Sequence, residues 1–161
     1  MAQQPNGVSV VVDLVEDFTK RVGQLTTQKV MVGIPATAAS RSGDPINNAT
    51  LGYMLHYGTS KMPPRPWLIP PIARMKDEAA AMLRQAAEFT MQKRPDLAEN
   101  ILNDLGSKAV SNVKVNIVSG GEPPFEKLAQ STIDRKGKGP HTILVDTAQL
   151  LNSITYVIRN K

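Results

Sequence analysis

The sequence predicts an α+β fold in which a small antiparallel sheet of about four strands packs against a long helical hairpin and short helices. Three observations point there. Ile72, Met75, Ala79, Met82, Ala86 and Phe89 recur at steps of 3, 4, 3, 4 and 3, the apolar seam of a long helix. Pro95 stops that series, and Leu97, Ile101, Leu105, Ala109 and Val113 then follow at steps of four, so two helices joined by KRPD form an antiparallel hairpin. Short β-branched runs, among them KVMVGI and ITYVI, lie outside the hairpin and supply the strands.

In chain order, residues 1–7 are a polar arm and Val8–Val12 reads as a strand. Asp13 can cap a helix with Leu14, Val15, Phe18 and Val22 on one face; a helix that already includes Val12 is the alternative. Lys29–Ile34 is a strand that Pro35 ends, and residues 36–45 are small, polar and loop-forming, a flexible segment. Asn47 or Asn48 caps a short helix, Ala49–Tyr57, which Gly58 stops in a left-handed conformation. Pro63, Pro64 and Pro66 stiffen the next loop into an extended rod with Arg65 projecting from it. Pro70 and Pro71 suit the first turn of the long helix, and Gly120-Gly121 ends its partner. Beyond lie a proline turn at Glu122–Phe125, a short helix over Lys127–Asp134, and a basic glycine-rich loop over Arg135–Pro140. A short strand over Thr142–Val145, a one- or two-turn helix capped by Asp146 or Thr147, and a terminal strand Ile154–Ile158 complete the chain.

The length of 161 residues suits one domain with an N-terminal arm. Hydrophobic residues make up 41% of the chain but aromatics only 4%, so the core is aliphatic. The absence of cysteine excludes disulfides, thiolate metal sites and cysteine nucleophiles. The net charge of +5 permits contact with nucleic acid or an acidic partner without requiring one. MAQQPNG lacks the order of a signal peptide and no apolar run reaches 18 residues, so a protein made in the cytoplasm, without a membrane partner, is expected.

The chemistry of enzymes leaves little trace. His56 and His141 stand in no metal-binding spacing, no phosphate-cradling glycine loop occurs, and the carboxylates suit solvated helix faces and caps. No catalytic residue, metal or cofactor is expected. Two stretches remain as contact candidates. Tyr57-Gly58-Thr59 with Pro63-Pro64-Arg65-Pro66-Trp67 gathers rings and a stiff loop, which serve either a subunit interface or the closing of a core. Arg135, Lys136 and Lys138 can neutralise phosphates, or simply form a solvated loop.

Three motifs add a resemblance. Tyr57-Gly58-Thr59 followed by Pro63-Pro64-Arg65-Pro66-Trp67-Leu68 resembles the aromatic-Gly-Thr … Pro-Pro-Arg-Pro-aromatic-Leu signature of bacteriophage neck and tail-completion proteins, also described as minor tail or virion-morphogenesis components. Pro123-Pro124-Phe125 with Ser131-Thr132-Ile133 and Arg135-Lys136 is similar to that family's second segment. Leu144-Val145-Asp146-Thr147-Ala148-Gln149-Leu150 with Ser153-Ile154 is similar to its ending. Together they extend over most of the chain. His56 stands where the family commonly has an acid and Ala148 where it commonly has glycine; the alanine implies a turn without positive φ, or an altered turn.

The resemblance implies a structural protein of the virion neck or upper tail that forms a ring, usually of six copies, around the DNA channel. Its implied partners are other copies of itself, the head connector, the tail terminator or the tail tube. The implied interface residues are Tyr57, Gly58, Thr59, Pro63, Pro64, Arg65, Pro66, Trp67, Asp146, Thr147 and Leu150, with Arg135, Lys136 and Lys138 facing DNA or the next ring. The alternative function is a basic DNA-binding or packaging accessory protein.

Overall fold

The computed structural model describes residues 16–23, 28–40, 45–136, 143–144 and 148–160. The expected strand Val8–Val12, the cap at Asp13, and the candidates Lys138, Asp146 and Thr147 lie outside them. The class is α+β, with a two-stranded antiparallel sheet among the described residues in place of about four strands. Helix α1 covers residues 16–23. Strand β1 (Gln28–Gly33) leads through a 3-10 turn (Ala36–Ala38) to α2 (Asn48–Tyr57), α3 (Ile69–Arg74), α4 (Lys76–Met91), α5 (Pro95–Val118), α6 (Gln130–Lys136), α7 (Gln149–Ser153) and β2 (Thr155–Asn160).

The hairpin of α4 and α5 is the body of the molecule. The α4 seam works as its spacing requires: Met75, with Ala79 and Met82, packs on Leu105 and Ala109, and Ala86, with Phe89, packs on Ala98 and Leu102. Over the first turns of α5 the buried residues are therefore Ala98 and Leu102, while the expected Leu97 and Ile101 are only half-buried. The helix is not continuous, however. Met75 (φ −89°, ψ 11°) separates α3 from α4, and its N–H donates to Ile72 O in a tight turn. Ile72, before the break, touches both the Met75 cluster and the cluster around Trp67.

The sheet lies across α5. Gln28 pairs with Asn160 at one end and Gly33 with Thr155 at the other. Alternation turns Val30, Val32 and Ile158 to the hairpin and leaves Met31 49% exposed. Tyr156 lies flat on Gly106 of α5, and its hydroxyl donates to Asn103 Oδ1 at 3.0 Å. A Cβ at Gly106 would sit 2.3 Å from that ring, so the glycine sets how closely strand and helix approach.

Several local expectations change. Asn47, not Asn48, caps α2, accepting from Thr50 N–H at 2.8 Å, while Asn48 is buried and donates to Ser40 O. Together with Asn48 N–H on Ala39 O, that bond ties residues 39 and 40 to α2, so the first part of the supposed flexible loop is pinned. Gly58 ends α2 with φ 78° but ψ 178°, a glycine conformation outside the left-handed helical region. Ile143 and Leu144 form a turn, with φ 66° at Leu144, in place of the expected strand. α6 begins three residues later than predicted and takes in Arg135 and Lys136, which therefore end a helix instead of opening a loop. The N-cap of α7 is Ala148, in the left-handed region at φ 56°; the turn keeps the positive φ that a glycine would supply freely.

α1 departs most from its expected role. Its inward contacts are polar: Arg21 Nη1 donates to Met91 O at 2.7 Å, Asp17 pairs with Lys93 at 3.0 Å, and Asp17 also pairs with Arg21. The neighbouring cations hold the Asp17 carboxyl below its ordinary range, Arg21 first and Lys93 second. Phe18 and Val22, expected on a buried face, are exposed.

Gly106→Ala gains helix propensity but must displace the Tyr156 ring. We expect a net loss of about 1–3 kcal/mol in urea unfolding. Gly106→Ala combined with Tyr156→Ala should show strong non-additivity, because the second change removes the atoms the new methyl meets; additive losses would contradict the contact.

Candidate functional site

The proline-rich stretch forms a loop whose two ends are both fixed to the core. Thr59 and Met62 close a tight turn after α2, with the Met62 N–H donating to Thr59 Oγ1 at 3.1 Å. The Cβ that Gly58 lacks would lie 2.8 Å from Pro64 N, so the stop of α2 and the proline rod require a glycine between them. The Arg65 N–H donates to Leu55 O at 2.8 Å and occupies a carbonyl that the end of α2 leaves open.

Arg65 does not project. It is buried, with Nε donating to Glu126 O at 2.9 Å and Nη2 to Lys127 O at 3.2 Å. Flanking prolines fix the backbone direction, and here they aim the guanidinium inward, where its planar fork meets two consecutive carbonyls. Trp67 is also buried, and its indole N–H donates to Gly52 O at 2.9 Å. A Cβ at Gly52 would lie 3.1 Å from both Trp67 and Ile34, so glycine lets both pack close to α2. Trp67 joins Val113, Ile117, Phe125 and Ile154 in one cluster, with Leu144 and Leu151 against it.

The polar hub of this region is Asn116 on α5, a residue that no motif in the sequence singles out. It is buried, its Oδ1 accepts from Arg74 Nη2 at 2.8 Å and from Glu122 N–H at 3.1 Å, and its Nδ2 donates to Trp67 O at 3.5 Å. Arg74 Nη1 also donates to Glu122 O at 2.6 Å. Its one signal in the sequence is an Asn placed one residue before Ile117 and three after Val113, on the apolar side of a helix.

His56 faces the same cluster from α2. Its ring meets Trp67 edge-on at 6.1 Å between centroids and Tyr57 at 4.7 Å, and its Nδ1 accepts the Leu68 N–H at 3.4 Å. Nδ1 therefore carries no proton and Nε2 does. Burial lowers the His56 pKa from its ordinary 6.5.

No family model, no curated protein and no solved structure matches the chain.

The expected interface residues thus separate into two sets. Arg65, Trp67 and Leu150 are buried within the chain itself, where they pack and bond internally. Leu150 approaches Gly52 from α7, which explains its burial. Tyr57, Thr59, Pro63 and Pro64 are exposed, while Gly58 and Pro66 are half-buried. Tyr53, not among the expected residues, stands beside Tyr57 at 4.8 Å between ring centroids. A cleft of roughly 260 Å³ runs beneath them, lined by Gly33, Ile34, Trp67 and Ile69. Among the described residues, no three of His, Asp and Glu lie close enough to share a metal ion, and no helix is long and apolar enough to cross a membrane.

Arg65→Ala leaves two carbonyls without their donor and should cost about 2–3 kcal/mol, with faster amide exchange over residues 120–130. Arg65→Lys should recover less than half, because an ammonium lacks the fork. Unchanged exchange in Arg65→Ala would refute the tether. For His56, the unfolded chain takes up a proton near pH 6.5 while the folded chain resists until lower pH. Stability is therefore full above about pH 6.5 and falls as pH drops through the folded value. The urea midpoint should decline from about pH 7 to pH 5 in the wild type, and His56→Gln should flatten that decline.

Proposed function

We propose that this chain is a structural protein of a tailed-bacteriophage virion, placed at the head–tail junction, where a ring of copies completes the tail or joins it to the head connector. The observation that carries the reading is the way the three signature segments fit together. Trp67 from the first, Phe125 from the second, and Ile154 with Leu144 from the third share one cluster, and Arg65 of the first bonds the carbonyls directly after Phe125. Segments from distant parts of the chain thus form one physical unit, as expected if the resemblance reflects a shared fold and not scattered coincidence. The exposed Tyr57, Thr59, Pro63 and Pro64 rest on that unit as a stiff surface, which loses little freedom on docking. Arg135 and Lys136 at the end of α6, with Lys138 beyond, are the residues offered to channel DNA, through phosphate contacts that salt weakens.

Deleting the coding sequence from the phage genome that carries it tests the proposal. Electron microscopy of the lysate should show separate heads and tails, or tails of abnormal end structure. Purified protein added to that lysate should restore joined particles. Normal, infectious particles from the deletion would end the reading.

A further inference from the structure

Two surfaces of this chain complement each other and cannot meet within one molecule. The first is an exposed aromatic face, at the rim of the 260 Å³ cleft, that can serve as a knob. Tyr53, Tyr57 and Ile69 are 66%, 58% and 53% exposed, and α2, which carries the tyrosines, has no charged side chain on its surface. Lys61, four residues after Tyr57, is exposed in the turn that follows α2. The second surface is concave. A groove of roughly 550 Å³ opens between α4 and α5, with Leu83 and Ala87 on one wall, Ala98 and Glu99 on the other, and Gln28 and Asn160 at its end. Among the described residues Glu99 is its one charged lining residue, and Leu83 is 48% exposed.

Their placement decides how they can be used. The groove touches the Gln28–Asn160 end of the sheet, and the tyrosine face adjoins Gly33 at the other end. Six strand residues separate those ends by about 16–20 Å. Knob and groove therefore adjoin opposite ends of the sheet. A contact between them must join two molecules, and it is heterologous, so it propagates head to tail and closes when the rotation per copy permits.

Size and charge fit a second copy. At these exposures the two tyrosines alone offer roughly 200–300 Å², about a quarter to two-fifths of the about 800 Å² that each partner buries in a standard interface. Ile69 and the turn at residues 59–64 add to it. Tyrosine is also among the residue types that most often anchor interfaces in desolvated pockets. Lys61 on the knob and Glu99 in the groove have opposite signs.

We propose that the Tyr53–Tyr57–Ile69 face of one copy seats in the α4–α5 groove of the next, with Lys61 facing Glu99. This rests on the proposed ring and names the two surfaces that make it.

The test uses the purified full-length chain, with light scattering after size exclusion over a range of concentrations. Circular dichroism confirms that each variant is folded. The wild type should grow beyond a dimer with concentration. Tyr53→Asp/Tyr57→Asp and Ala87→Arg should each remain monomeric, the first lacking a knob and the second a usable groove. Mixed in equal amounts they should form a dimer and stop, since each supplies the surface the other lost. Lys61→Glu and Glu99→Lys, both at exposed positions, should each weaken assembly at least tenfold, and the two together in one chain should restore it. Variants that assemble as the wild type does overturn this contact and leave the ring standing. A mixture that remains monomeric while the wild type assembles also overturns it. A wild type monomeric at every concentration overturns it as well, whereas the neck assignment is judged by the deletion lysate, which does not depend on assembly in solution.

Discussion

Much of the structure depends on one buried hydrogen bond, from the Trp67 indole to the carbonyl of Gly52. A tryptophan brings more apolar surface than any other side chain, but its N–H must find an acceptor once water is removed. Here the acceptor is a carbonyl inside α2, and the missing side chain of Gly52 lets the ring approach it closely. That bond fixes α2 against the start of α3. The Trp67 carbonyl then accepts from Asn116, which fixes the same point to α5. One residue thus connects three helices, and the prolines before it keep the connecting chain from exploring other routes. Asn116 extends the connection through Arg74 and Glu122, so the turn after α5 is held by the same network.

The parts legible in the sequence are those governed by periodicity. The seam from Ile72 to Phe89 and the series from Leu97 to Val113 identify a hairpin because a helix buries one face whatever its surroundings. The β-branched run KVMVGI and the alternation in ITYVI likewise identify both described strands. Pattern does not say how a residue with two opposed tendencies resolves them. Arg65 is charged, which argues for the surface, and amphipathic with a planar donor fork, which suits a pair of carbonyls. Only the position of residues 126 and 127, far along the chain, decides between the two. Asn116 escapes pattern for the same reason: its partners come from α3 and from the turn after α5.

Ala148 shows a different limit. Alanine disfavours positive φ, so its presence argues for an ordinary turn, yet the chain holds it at φ 56°. The local penalty of about 1–2 kcal/mol is outweighed by the packing of the next six residues. α7 places Leu150 and Ser153 in the interior, and Ile154, directly after, is almost fully buried in the Trp67 cluster. Burying one large aliphatic side chain is worth about 1.5–3 kcal/mol, enough for tertiary packing to overrule a one-residue preference. A propensity is thus a weak guide where the chain is about to enter a core.

The same packing explains which residues remain for contact. A signature rich in Gly, Pro, Arg and Trp resembles a recognition loop, but most of it is spent on the chain itself. Gly58 admits Pro64, Arg65 holds the segment before α6, and Trp67 fills the core. Because these residues are committed inward, α2 is held rigidly, and Tyr53 and Tyr57 project from a surface that cannot retract them. Rigid aromatic groups lose little rotamer freedom on docking, so each square ångström they bury contributes more to affinity than the same area on a loop that must first be ordered. The buried arginine and tryptophan act on that surface indirectly: they hold α2 in place, and on that its two tyrosines depend.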